Sequence, residues 1–307
     1  MILSASRRTD IPAFYSDWLM NRLKEKYVLV PNPRNPKRLG RVRLSPEWVD
    51  CIVFWTKNPL PMMDKLAAVE ELGYRFYFQF TLTPYGPEVE RGLPPKARLV
   101  RAFLDLSRRL GPERMVWRYD PVLVDGSFSV GWHLERFHRL CGALDGAAGR
   151  CVFSFIDVYP NLRKKFCALS RDEMLAVAEG FSQTARAHHL PLFSCCETID
   201  LSRFGIRPSA CIDRKLIETI VGCPIRAGKD PNQRPACGCI ESVDIGVYDT
   251  CRNGCAYCYA TSGEKAVRRN VSAHDPKSPL LTGHPRGDER ITDRTSPSGK
   301  ILQLSLL

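Results

Sequence analysis

No stretch of this chain approaches the roughly 20 consecutive apolar residues that a membrane-spanning helix needs. Its opening, MILSASRRTDIP, has no apolar leader core, so a cytoplasmic protein with no membrane partner is expected. Histidine is scarce. The six are scattered, and the one adjacent pair, His188 and His189, falls at a helix end where solvent exposure or capping accounts for it. No Ser, His and Asp order suggests a hydrolytic triad, and no phosphate-binding P-loop is present. No G-x-G-x-x-G follows the first strand-like run, so a dinucleotide-binding fold has little support. Acidic residues are outnumbered, 33 against 45 basic, for a formal net charge of +12. That excess suits an anionic partner such as a nucleic acid, a nucleotide or a phosphorylated metabolite, and equally a surface that is merely soluble. No run of Lys and Arg alone marks a nucleic-acid-binding arm.

Cysteine, by contrast, is plentiful. Thirteen of them in a chain without a secretory leader argue against a disulfide scaffold and for metal or redox chemistry. Nine fall between Cys195 and Cys258. In 251-CRNGCAYC-258, directly after the alternating stretch 243-VDIGVYD-249, Cys251, Cys255 and Cys258 have C-x3-C-x2-C spacing. Three thiolates in one loop can hold three irons of a cubane cluster and leave the fourth open to a non-protein ligand. A structural zinc site wants four protein ligands, often from two C-x2-C knuckles, and this loop offers one. Cys195, Cys211, Cys237 and Cys239 form a second set, either closing around a further 4Fe–4S cluster or buried as small apolar side chains. Cys51, Cys141, Cys151, Cys167 and Cys223 are read as the latter.

Strand-like runs alternate with helical spacing along the chain. The strand candidates are 2-ILSAS-6, 51-CIVFWT-56, 76-FYFQFTLT-83, 115-MVWRYDP-121, 152-VFSFIDVY-159, 190-LPLFSCC-196 and 243-VDIGVY-248. Leu99, Phe103, Leu106 and Leu110 make one helical stripe, closed by Gly111. Met174, Val177, Ala178 and Phe181 make another, opened by a Ser170/Glu173 capping box. Residues 27–46 are too proline-rich for a helix and read as an inserted hairpin or loop. This alternation predicts an α/β protein whose parallel sheet curls into a (β/α) barrel or partial barrel. Working residues in such folds sit at the C-terminal strand ends. Here these read SASRRTDIP, WTKNP, TLTPYG, RYDPVL, DVYP and SCCETID, dense in charge, hydroxyls and proline.

The cysteine loop resembles the signature of radical S-adenosylmethionine enzymes. The series Ser6 to Asp10, Thr56-Lys57 and Arg118-Tyr119-Asp120-Pro121 is similar to that of spore photoproduct lyase-like members, except that the cysteine strand comes last instead of first. A circular permutation explains this, since first and last strands of a barrel are neighbours. The whole chain is also similar to a bacterial family known as domain of unknown function 1848. The matching segments are SASRRTDIP, FWTKNP, CCETIDL, CID, KDPNQRPACGC, the cysteine loop with Tyr259-Ala260, HDPKSP and QLSL. The family pattern places one cysteine two positions before Glu197, which makes it Cys195 and leaves Cys196 doubtful as a ligand.

The resemblance implies a 4Fe–4S cluster, or two, with S-adenosylmethionine on the open iron. It implies a one-electron donor such as flavodoxin or ferredoxin, and a 5′-deoxyadenosyl radical acting on an anionic substrate such as a nucleic acid or nucleotide. Tyr257 would lie beside the adenine, with Ser4, Ser6 and Thr9 also binding the cofactor. Arg7, Asp10, Lys57, Arg118, Asp120 and Glu197 are the catalytic candidates. Arginine forks suit carboxylate or phosphate, and Asp10 suits a ribose hydroxyl or an ammonium. Plainer roles stand beside these: Asp10 or Thr9 as a helix N-cap, Lys57 and Asn58 as a turn, Arg118–Asp120 as an internal salt bridge. Asp200 is considered with Glu197 as a proton carrier. Residues 1–262 form the expected barrel, including the cysteine-rich segment 195–258, and 263–307 a basic, partly ordered tail. Two other readings stay open: a non-catalytic iron–sulfur redox or sensor protein, and a zinc-stabilised nucleic-acid-binding protein.

Overall fold

The computed structural model describes residues 1–163, 165–294 and 296–301. Its strands are β1 Ile2–Ala5, β2 Tyr27–Asn32, β3 Asn35–Arg43, β4 Cys51–Thr56, β5 Phe76–Thr81, β6 Met115–Val122, β7 Arg150–Phe155, β8 Leu192–Cys195, β9 Arg207–Ser209, β10 Val243–Asp244 and β11 Arg290–Arg294. Eight of them form one sheet in the order β10-β1-β4-β5-β6-β7-β8-β9, and every pairing in it is parallel. Among the described residues β10 and β9 are its two ends, so the sheet is open, the pairing of a partial barrel. All seven runs expected as strands lie in it. The run at 243–248 is only two residues of ladder, because Asp244 turns its carboxylate onto Ser4, Ser6 and the amides of Arg7 and Gly246. β9 was not expected. It is three residues long and contains Pro208, too short to carry a periodic signal.

Period two divides the sheet's side chains between its faces. One set, including Leu3, Phe54, Phe76, Phe78, Trp117, Tyr119 and Phe153, packs under the helices Lys96–Leu110, Val130–Ala143 and Arg171–Ala187. The first of these helices buries Leu99, Phe103, Leu106 and Leu110, and Gly111, at φ 86°, ends it. The third begins at the Ser170/Glu173 capping box expected from the sequence. Phe137 and Phe181 stack at 3.9 Å between the second and third helices. Each fully buried side chain of this size contributes about 1.5–3 kcal/mol.

The other face carries Ile2, Cys51, Val53, Tyr77, Val116 and Val152, covered by the helix Arg214–Val221 and the cysteine-bearing segment through Ile240. Farther along the same strands, the same parity gives Ser4 and Ser6, Trp55, Gln79, Arg118 and Asp120, and Ser154. This face therefore changes from apolar to polar toward the C-terminal strand ends.

The inserted segment is a hairpin: β2 and β3 pair antiparallel, and β11 adds parallel to β3. The tail carries a helix, Glu264–Ser272, as well as β11. HDPKSP lies against the helix Ser16–Glu25, where the indole of Trp18 donates to the carbonyls of Ser278 and Leu280, each at 3.0 Å. The tail segment Gln303–Leu306 lies outside the described residues. Among those described, no helix is long and apolar enough to cross a membrane.

Candidate functional site

The cysteine loop is held from two sides. The buried Asn253 donates from Nδ2 to Asp10 Oδ2 at 3.0 Å, and Lys57 N donates to the same oxygen at 2.7 Å. Asp10 Oδ1 accepts from Ala13 N at 3.1 Å, so the carboxylate is the N-cap of the short helix Ile11–Phe14 as well as a tie between β1, β4 and the loop. Burial raises its pKa above the usual carboxylate range despite these donors. From the other side the loop after β5 grips the cysteines: Ala256 N donates to Val89 O and Gly92 N to Asn253 O, both at 2.8 Å, and Glu90 forms an isolated antiparallel bridge with Cys255. Gly92 is required here, because a Cβ would lie 2.5 Å from Arg252 O.

Glu90 is fully buried and was not singled out from the sequence. Its carboxylate accepts from Lys57 Nζ at 2.8 Å, Thr83 Oγ1 at 2.8 Å, Lys96 Nζ and the Tyr257 hydroxyl. Burial alone would push its pKa up, but the two ammoniums outweigh that and hold it at about 2. Lys57 Nζ also lies 5.3 Å from the Tyr257 ring centroid, a cation–π contact. Burial works against the Lys57 charge, yet Glu90 first and the Cys255 sulfur next keep it raised.

The three loop thiols are half-buried. Burial pushes Cys251 up to about 12 and raises Cys255 and Cys258, while Lys57 opposes the rise at the latter two. As free thiols they are inert; a metal that takes their protons supplies the missing counter-charge. Nearby polar atoms await a partner: Thr9 Oγ1 and Asn253 Oδ1 are buried without a hydrogen bond. Three thiols in one loop beside unpaired donors and acceptors fit a three-cysteine cluster with a polar ligand on its open iron. Among the described residues no three His, Cys, Asp or Glu side chains surround a single ion's position.

The second cysteine set converges. Cys195 and Cys211 sulfurs lie 3.1 Å apart, and Cys237 and Cys239 belong to the same buried cluster. Tyr77 Oη and Gln79 Nε2 donate to Cys211 O at 2.8 and 2.6 Å, fixing it over the sheet. Ile212 N points at the Cys239 sulfur at 3.3 Å. Two arginines face the group. Arg118 Nη1 lies 2.9 Å from the Cys211 sulfur, and Arg7 lies beside it over Trp55. Their guanidiniums sit 5.5 and 5.1 Å from the Trp55 ring centroid, which neither charge nor spacing in the sequence had marked. Hydrogen bonds from Cys195 and Cys239, with Arg118 and Arg7 behind them, lower the Cys211 thiol well below its ordinary pKa.

Of the remaining candidates, Arg118 and Asp120 do form an internal ion pair, and Asp120 also accepts from Ser154. Ser4 and Ser6 both donate to Asp244, at 2.9 and 2.6 Å, and so fasten β10 to β1. Glu197 accepts from Phe155 N at 2.9 Å, and burial first, with Asp157 and Asp120 adding, pushes it up to about 7. A carboxyl in that range can carry a proton near neutrality. Asp200 is exposed and bonded to Ser202 N, a turn residue. Cys196, at φ 61°, is half-buried, Cys51, Cys141 and Cys151 are fully buried, and Cys167 is exposed.

Fold and site together define an α/β protein with an open parallel sheet and two groups of thiols toward the C-terminal strand ends. Residues 2–260 match the model of a protein family described as Domain of unknown function (DUF1848). The chain belongs to that family. No curated protein and no solved structure matches it.

Proposed function

We propose that this protein is a radical S-adenosylmethionine enzyme whose cluster is held by Cys251, Cys255 and Cys258. The observation that carries the reading is the clamped loop: three thiols between Asp10–Asn253 on one side and Glu90–Lys57 on the other, beside unpaired buried polar atoms. When bound, the reduced cluster and S-adenosylmethionine supply a 5′-deoxyadenosyl radical for hydrogen abstraction. The chain's own part is to hold and shield. Asp10 keeps the loop against the ends of β1 and β4. Thr9 Oγ1 and Asn253 Oδ1 offer polar contacts to a ligand's ammonium and hydroxyl groups, and Tyr257 an aromatic face. Parallel pairing of β10 with β1 supports a circularly permuted barrel, in which the cysteine strand has moved to the end of the chain without leaving its neighbour. The net charge of +12 favours an anionic substrate, and a flavodoxin or ferredoxin is a suitable electron donor.

Anaerobic reconstitution tests the reading. The wild-type protein is expected to bind iron and sulfide and, once reduced, to cleave S-adenosylmethionine to methionine and 5′-deoxyadenosine. Cys255→Ala is expected to lose at least ~100-fold of that cleavage, because the cluster loses one of three ligands. Full cleavage by Cys255→Ala refutes the assignment. A stable cluster that never cleaves S-adenosylmethionine makes this a passive redox protein, and zinc in place of iron a structural one.

A further inference from the structure

Four thiols from distant parts of the chain meet on one face of the sheet, away from any role in the triad. Cys195 ends β8, Cys211 follows β9, and Cys237 and Cys239 come from the irregular segment beyond the helix Arg214–Val221. Chance burial of small side chains does not explain their company. Arg118 is buried, and it spends one nitrogen on the Cys211 sulfur at 2.9 Å while another holds Asp120. Placing a guanidinium against a neutral thiol in a buried site is costly; placing it against a thiolate is favourable. Arg7 follows β1, and its guanidinium shares the Trp55 ring with that of Arg118, in cation–π contact at 5.1 and 5.5 Å.

We infer that Cys195, Cys211, Cys237 and Cys239 ligate a second iron–sulfur cluster, closed by four thiolates. The four cysteines share one buried cluster, with the Cys195 and Cys211 sulfurs 3.1 Å apart and the Ile212 amide on the Cys239 sulfur, and they do not surround one ion's position. A cubane offers a separate corner to each of four thiolates and so needs no single point that all four surround. Four thiolates on a core of charge +2 leave about −2 in total, and Arg7 and Arg118 supply the opposite charge. With no open iron, this centre takes no S-adenosylmethionine. The inference stands on these four sulfurs and does not depend on the triad reading.

The test uses the full chain, purified and reconstituted anaerobically. Replacing Cys251, Cys255 and Cys258 together by Ala is expected to leave about four irons and four sulfides per chain, against about eight in the wild type. The remaining cluster's electron paramagnetic resonance signal, after reduction, is expected not to change when S-adenosylmethionine is added. Cys211→Ala alone, with circular dichroism confirming the fold, is expected to bring the wild-type count down to about four, the triad's share. If Cys211→Ala does not fold, the triad variant still decides. No iron in that variant, or one zinc per chain in its place, overturns the inference. Four irons in the triad variant together with a wild type that cannot cleave S-adenosylmethionine would sink the proposed activity and leave this second centre standing.

Discussion

Glu90 concentrates more of the site's electrostatics than any residue the motifs point to. It is one carboxylate between two lysines, with a threonine and a tyrosine hydroxyl donating to it, and it lies behind Cys255. Breaking a buried ion pair from one side costs more than the pair itself contributes, because the partner charge stays buried. Glu90→Gln is therefore expected to destabilise the fold by about 3 kcal/mol, read from the shift of a urea midpoint at pH 7. A change below about 0.5 kcal/mol would mean that the lysines find water or other partners easily. Nothing in 87-PEVERG-92 distinguishes Glu90 from Glu88 by sequence alone. Only the fold shows that one is fully buried and the other is not.

At the scale of the element, the loop after β5 and the cysteine loop act as one piece. Their backbones exchange hydrogen bonds at Val89–Ala256 and Gly92–Asn253. Gly92→Ala puts a Cβ 2.5 Å from one backbone oxygen and 2.8 Å from another, and neither can swing aside as a side chain would. We expect the variant to lose about 1–3 kcal/mol of stability and to bind measurably less iron at the triad after reconstitution. Unchanged iron content would show that the two loops tolerate separation. The elements that the sequence made legible are those with long apolar runs or clear caps: the strands from β1 to β8 in the large sheet, the helix closed by Gly111, the helix opened by Ser170. β9 escaped because its pairing with β8 is imposed by packing and not by its own three residues. That Cys195, Cys211, Cys237 and Cys239 share one buried cluster fits the grouping read from the sequence, since thiols in a chain of this kind have few other uses. The two arginines and Trp55 around them were not grouped with it, since only the strand register brings β1, β4 and β6 side by side on one face.

Across the whole molecule, His133, Glu90 and Glu197 contribute to the response to acid, with opposite signs. His133 is fully buried and neutral, with Nδ1 accepting from the Tyr119 hydroxyl at 2.8 Å and Nε2 donating to Leu123 O; burial lowers its pKa to about 4. The unfolded chain takes up a proton there near pH 6.5 and the native one does not until about pH 4. Stability contributed by His133 is thus full above 6.5 and falls as pH drops toward 4, by up to about 3 kcal/mol. Glu90 has the same sign lower down: its contribution is present above pH 4.5 and is lost as pH falls toward 2. Glu197, pushed up to about 7, acts the other way in the same window and gains stability as pH falls from 7 toward 4.5. Between pH 7 and 4 the urea midpoint is therefore expected to fall more steeply in Glu197→Gln than in the wild type and less steeply in His133→Gln. Parallel slopes would show that other groups carry the acid response.

The pairing of β10 with β1 also bears on time. Ser4 and Asp244 are 240 residues apart in the chain. At roughly 5–20 residues per second of synthesis, that separation is about 12 to 48 seconds. Through that interval β1 has a partner on one side only, in β4, and its other edge is open. Asp244 and the cysteine loop arrive together, near the end, at a sheet whose central strands have already been made. The cysteine loop is therefore completed late, onto a scaffold that already stands, and the same event closes the edge that had been left exposed.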